Sequence, residues 1–575
     1  MFHLPRDYTR HPSSAEFKMA TWSQLGTTIH SGLSVPWEGV RAIRLDGPTA
    51  SPKHLRGLVD AGLLEAIERI ELCAEAVSAP ALSALQSLPC LTELRLEGAT
   101  LERPLEAYFG ALRSLELIRC SPQLCVDLLE RAPNLRQVIV KAPPNEGGQE
   151  NQLVLEALAA HQLAAMTLAD LQAPYRAFAG VLRSLAPRLG RLQLHEVVGL
   201  ESTEWLNDTE WPELTEFAWT SAEAQTLRAP LPDQLRSLDL RFTKLMSVEP
   251  NVLPAHLQAL DVRNAQLPDV LAARVRERAP CWRSLRLSAS RWSESLVGAI
   301  AVDPNSALVE LQLERGPATD GHWDSHSPPT GLHRLERIAV SGWSLSHHLW
   351  SALLAGAGAP RLESLAWRGH LYFDDDTMAR LSPKLRHLEL RGGGRVLLHQ
   401  PEQTLGLEAV QISGLEIEGD PEAFIARCPH IRAIGVRHKG RVAPDWLQGV
   451  LASIGPQLQA LTLNDFYFED NPDHAAQLND ALQAATFPCL RTLEIDDSEV
   501  SIETLRHLAA RETCPKLRTL RFGPDPDGDE PWHALSAASP DLHHVTGPGQ
   551  GRMNERLAIL RESPLAHAIV SFEDF

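Results

Sequence analysis

Apolar residues recur along the chain in one short phrase, an apolar position followed by others three and five places later. Examples are LTELRL, LRSLEL, LRHLEL and LRTLRF. Twenty such hexads begin between Val40 and Leu517, 21 to 32 residues apart, and a weaker one, LHHVTG, begins at Leu542. Side chains alternate along a strand, so positions 4 and 6 point the same way and position 1 turns into the same interior from the preceding loop. The pattern therefore predicts short parallel strands, each burying its apolar face against the segment that returns to the next hexad. Positions 2, 3, 5 and 7 are left facing outward.

Several returning segments have helical spacing. SIETLRHLAARETC opens on a serine and places Leu505, Leu508 and Ala509 on one face. SPQLCVDLLERAP and LPDVLAARVRERAP have the same character. A proline stands two residues before position 1 in twelve hexads, from Pro89 to Pro540. Because proline cannot continue a helix, it is expected to stop each helix before the next strand begins.

With CPKLRTL, CPHIRAI and APNLRQV in view, the chain resembles the leucine-rich-repeat superfamily, in particular the ribonuclease-inhibitor and F-box-associated type. The resemblance implies an α/β solenoid of horseshoe form, with a parallel concave sheet and a helical convex side. About 20 repeats of about 25 residues are expected, within the usual 20–29-residue range of this repeat. One departure is visible. The family has Asn or Cys at position 9, whereas here only Cys120 fits, with Ala99, Thr243, Trp343, Leu415, Phe466 and Ser498 elsewhere. Irregular turns are therefore expected, with buried backbone groups satisfied in some other way.

Residues 1–35 lack the pattern and are expected to form a tail and N-terminal cap, 36–550 the solenoid, and 551–575 a C-terminal cap. No F-box is recognisable in HLPRDYTRHPSS. Polar, Gly- and Pro-rich inserts at 142–152, 315–332 and 523–531 read as surface loops.

Charge then narrows the functional classes. The net charge of −19 disfavours nonspecific attraction to nucleic acid or anionic membrane. No run approaches 18 apolar residues, and the first residues lack the apolar core of a signal peptide. Eight cysteines in 575 residues are too few for a disulfide framework, so a reducing cytoplasm is the expected location.

Strings that could carry chemistry are few. His322, Asp324 and His326 lie close together but lack further ligands at zinc-site spacing. The acidic run Asp525 to Glu530 lacks the closing glutamate of a calcium loop, and Asp374, Asp375 and Asp376 suit a helix start. Cys125 and Asp127 match the C-x-D string of a bacterial repeat-linked ubiquitin-ligase family, but they fall inside a repeat helix where Cys125 would face the core. Phe217, Trp219 and Trp367 occupy inward positions and read as core. No nucleophile elbow, phosphate loop or H-E-x-x-H string occurs, so no catalytic residue, cofactor or metal is expected.

The outward positions say more. Positions 2, 3, 5 and 7 of the twenty hexads hold 22 basic and 17 acidic residues, leaving 32 basic against 56 acidic elsewhere in the chain. Arg236, Arg241, Arg263, Arg283, Arg286, Arg368, Arg386, Arg391 and Arg437 are the candidate partner-binding residues. They could form a groove for an acidic partner, since arginine presents a planar donor fork to carboxylates. They could equally form a structural charge ladder, as the alternation Arg44, Glu71, Arg95, Glu116 at position 5 suggests. The expected function is a non-enzymatic, monomeric scaffold that binds a macromolecule, a protein above all, through its concave face. The alternatives are a recognition subunit of a ubiquitin-ligase-like system, and anion or nucleic-acid binding through the arginines.

Overall fold

A computed structural model describes residues 64–522 apart from short segments (74–78, 102, 144–147, 201–202, 228–229, 249–252, 263–268, 316–320, 324–329, 346, 355–357, 370, 373–377, 379–380, 438–444, 465–471 and 497–499). It also describes Leu542 and strands at 20–21, 42–46, 544–548 and 569–573. The chain divides into two units. One is Met1–Glu201 with Trp205–Leu214, and the other is Ser202–Glu204 with Thr215–Phe575.

Each hexad forms a strand. In the first unit these run from Ala42–Asp46 through Arg69–Cys73, Glu93–Glu97, Ser114–Ile118, Gln137–Lys141 and Ala165–Ala169 to Arg191–His195, every neighbour parallel. In the second unit the parallel series begins with two long strands, Glu216–Leu227 and Ser237–Val248, and continues hexad by hexad to Thr519–Phe522. His544–Pro548 and Ile569–Glu573 extend it further. Register follows hexad position: Leu94 faces Leu115, and Leu388 faces Val410. Positions 4 and 6 are buried, as at Leu94, Leu96, Leu388 and Leu390, while 3, 5 and 7 stand on the opposite face.

The proline before each strand does more than end a helix. The position-1 amides of Leu91, Leu135, Leu362, Leu385, Ile431, Leu490 and Leu517 donate to the carbonyl three residues earlier. That closes a tight turn with Pro89, Pro133, Pro360, Pro383, Pro429, Pro488 or Pro515 at its second place, where a φ near −65° is already right. The next two amides then share one carbonyl of the preceding repeat. Arg386 and His387, for instance, both donate to the Glu363 oxygen at 2.8 and 2.9 Å.

The exit from eight strands is more regular than the expected irregular turns, whereas Glu216–Leu227 and Ser237–Val248 run on through this point with shifts of register. At position 8 the chain passes through positive φ in Gly98, Arg119, Asp170, Glu196, Gly342, Gly369, Gly392 and Gly414. The amide released there donates to the position-7 carbonyl of the next strand, as Gly392 does to Ser413 and Gly414 to Arg437. Backbone geometry thus performs the satisfaction expected of a polar position 9. Position 9 is free to be apolar, and Ala99, Leu171, Val197, Trp343 and Leu415 are all buried. Thr243, Phe466 and Ser498 carry no described side chain.

Helices return the chain in many repeats, including Pro122–Arg131, Tyr175–Leu185, Asp269–Glu277 and Ile502–Ala509. Ser501 caps the last by accepting from the Thr504 amide at 3.2 Å. Elsewhere strands replace helices on the returning side. Gly321–Trp323 pairs with Trp343–Leu345, and Leu371–Tyr372, Gly394–Leu398 and Glu416–Gly419 make a small parallel sheet of their own. Two expected loops are therefore corrected. Residues 148–152 begin the helix Gly148–Leu158, with Asn151 buried and donating to the Gln172 carbonyl at 3.1 Å. Residues 321–323 form a strand because Trp323 is buried. The insert at 523–531 lies outside the described residues.

Candidate binding face of the sheet

Rigid strands bring the outward residues together, since each hexad places positions 3, 5 and 7 beside those of its neighbours about 4.8 Å away. In the first unit this face is a charge ladder. Arg44, Glu71, Arg95 and Glu116 follow one another in register at position 5. Arg69 reaches Glu71 at 2.6 Å and Glu93 at 3.6 Å, while Arg95 reaches Glu97 at 3.2 Å and Glu116 at 3.5 Å. Arg119 closes on the other oxygen of Glu97 at 2.5 Å. That hydrogen bond is the main cause of a lowered Glu97 pKa, whereas burial raises that of Glu116.

The second unit starts in the same style. Arg241 grips Asp239 through Nε and Nη2, the two donors of one guanidinium edge, and lies 4.0 Å from Asp261. Burial opposes its charge, but Asp239, Asp261 and Glu314 together outweigh burial and the pKa is raised. Arg286 stands 3.5 Å from Glu310, which also meets Arg337 at 3.3 Å. Arg386 meets Glu408 at 3.0 Å. Arg236 and Arg283, at position 2, are exposed and have no ion-pair partner among the described residues; Arg263 lies outside them.

Further along, the alternation fails. Arg368 and Arg391 sit opposite each other at position 7, followed in register by Ser413 and then Arg437. Glu389 serves two of these arginines: Arg368 at 3.3 Å and Arg391 at 2.7 Å. Sequence reading singled out the arginines but missed Glu389, although its position-5 place in LRHLEL was legible. The Arg391 pKa is lowered, first by burial and then by Arg368 and Arg437, against the pull of Glu389.

Other candidates resolve simply. Cys125 is buried as expected. Asp127 serves the backbone: its carboxylate accepts from the Leu105 amide at 2.9 Å and from Gln123 at 2.6 Å. Phe217, Trp219 and Trp367 are core residues. His322 is exposed, while Asp324, His326, Asp374, Asp375, Asp376 and Asp525 to Glu530 lie outside the described residues. No cluster of three metal-ligating side chains occurs among the described residues. A groove of about 780 Å³ beside helices Pro122–Arg131 and Gly148–Leu158 is lined by Val126, Leu129, Glu130, Leu153 and Glu156, among others.

No protein-family model and no curated protein match the chain. Among solved structures it is similar to CroV588, described as a novel circular LRR protein, at 10% identity over 87% of this chain and 68% of that one, with a TM-score of 0.37. It is also similar to the internalin InlF of Listeria monocytogenes, at 13% identity over 72% of this chain and 88% of that one, with a TM-score of 0.26. The decisive observation is internal: in both units every L-x-x-L-x-hydrophobic hexad is a parallel strand whose positions 4 and 6 are buried wherever side chains are described. The fold is a leucine-rich-repeat solenoid. In these leucine-rich repeats no described helix is long and apolar enough to cross a membrane.

Proposed function

We propose that this leucine-rich-repeat chain is a non-enzymatic scaffold that binds a protein partner through the outward face of its sheet and the loops at the strand ends. One observation carries the reading. A series of rigid parallel strands, anchored by buried leucines, holds charged side chains half-exposed in fixed register over many repeats. Such a surface offers geometric and electrostatic specificity rather than bulk apolar burial. Most of its arginines already face carboxylates, which favours a protein with its own pattern of charges over a uniform polyanion.

Crosslinking tests the reading. The full chain, with cysteine-reactive or photoreactive probes at outward strand positions and matched probes on the helices, is exposed to its native extract, and the captured protein is mapped by mass spectrometry. The expected crosslinks fall on positions 2, 3, 5 and 7. Crosslinks confined to the helical side, or none on the sheet, overturn the reading.

A further inference from the structure

Building on that reading, we infer that the stretch of sheet carrying Arg368, Arg391 and Arg437 receives an acidic, extended peptide segment of the partner. Four consecutive strands, Ser364–Arg368, His387–Arg391, Ala409–Ser413 and Ala433–Arg437, present twelve outward residues at positions 3, 5 and 7. Among the twelve stand three arginines and a single carboxylate, Glu389. The corresponding twelve positions of Arg69–Cys73, Glu93–Glu97, Ser114–Ile118 and Gln137–Lys141 hold three basic residues and four acidic ones. The first set is a local excess of two positive charges, the second a balanced ladder.

A purely structural ladder would alternate, because like charges on opposed strand positions destabilise a sheet. Asp239 opposite Asp261 breaks that rule with one arginine between them, and Arg368 opposite Arg391 breaks it with one glutamate oxygen at 3.3 and 2.7 Å. In the second case, however, the row goes on to Arg437 with no further carboxylate at the twelve positions. Electrostatic strain of this kind is relieved by an incoming anion, and it is concentrated where binding occurs. Arg368 keeps 52% of its side-chain surface exposed, so its donor fork is accessible.

The residues beside the arginines argue for a peptide. Ala409 and Ala433, opposite each other at position 3, make a low patch on the same face, so a main chain can approach closely there. From Arg368 to Arg437 the row crosses three strand intervals, about 14 Å. Alternate residues of an extended chain lie about 7 Å apart on one side, so glutamates at i, i+2 and i+4 span the same length. Nucleic acid is disfavoured by the chain's net charge of −19 and by the shortness of the row.

The test uses the full chain, a fluorescein-labelled peptide with glutamate at alternate positions, a lysine counterpart, and a single-stranded RNA of equal length. Anisotropy is measured for the parent, for the R368Q/R391Q/R437Q variant and for the single variant R368Q, alongside thermal melting. The expected result is selective binding of the glutamate peptide, weakened at least tenfold in the triple variant and weakened also in R368Q, which leaves Glu389 paired with Arg391, with cooperative melting in both. Affinity equal to the parent's in either variant, or stronger binding of RNA than of peptide, overturns the proposal. A captured partner that still crosslinks to the sheet of the triple variant overturns the acidic-segment proposal while leaving the scaffold reading in place.

Discussion

Arg368 and Arg391 face each other across adjacent parallel strands and share the same Oε1 of Glu389. Removing that carboxylate leaves two guanidiniums competing at a half-buried place. Glu389→Gln is expected to lower stability by about 1–2 kcal/mol, the scale of a charge-assisted hydrogen bond after solvent screening. Thermal melting in low and high salt checks it. The deficit should shrink as salt screens the repulsion between the arginines.

At the other kind of arginine contact, pH is the informative variable. The Arg119 hydrogen bond holds the Glu97 pKa below its ordinary value of 4.5. Its folded pKa is therefore the lower one, so its stabilising contribution is present above the unfolded value and is lost as pH falls through the folded one. Glu97→Gln should melt below the parent at pH 7, and the two curves should converge as pH falls below 4.5 through the lowered folded value.

Position 8 supplies a backbone test. A Cβ at Gly392, where φ is 148°, would lie 1.8 Å from the Gly369 carbonyl oxygen. Gly392→Ala is expected to cost about 1–3 kcal/mol. At Gly180, on the helix Tyr175–Leu185, nothing stands within 4 Å of an added Cβ, so Gly180→Ala should be neutral or stabilise by about 0.5–1 kcal/mol. Melting curves of the two single variants should separate in opposite directions.

The turn prolines can be separated from simple helix stops. Leu517 donates to the Cys514 carbonyl at 3.1 Å, with Pro515 between them. Pro515→Ala keeps that turn and should cost only about 0.4–1 kcal/mol, through the freer unfolded chain. Helical circular dichroism should be unchanged. Growth of helix signal would instead mean that the ring's main role is to block helix extension.

Thiol chemistry tests the packing of the repeats. Burial pushes the pKa of Cys120 up to about 11 and those of Cys428 and Cys514 up to about 12. Cys281 is exposed. Alkylation of the native chain at pH 8 should label Cys281 first, whereas Cys120, Cys125, Cys428 and Cys514 should react only after denaturation. Peptide mapping by mass spectrometry distinguishes them.

The hexad spacing by itself determined the strands and the inward leucines, because a two-residue alternation repeated at one period admits a single way to share a core. It also disclosed the arginine excess on the outward positions, and the helix of SIETLRHLAA from its serine and its apolar face. Tertiary structure decided the rest. Which arginines are held by the next repeat, such as Arg386 by Glu408, and which crowd one another, such as Arg368 and Arg391, depends on cross-strand register between repeats more than twenty residues apart. Likewise, an apolar position 9 is tolerated because the position-8 amide passes to the next strand, through positive φ at residues such as Gly392 and Gly414. Neither the hydrogen bond nor the shared carboxylate exists within one repeat; both arise only when repeats stack.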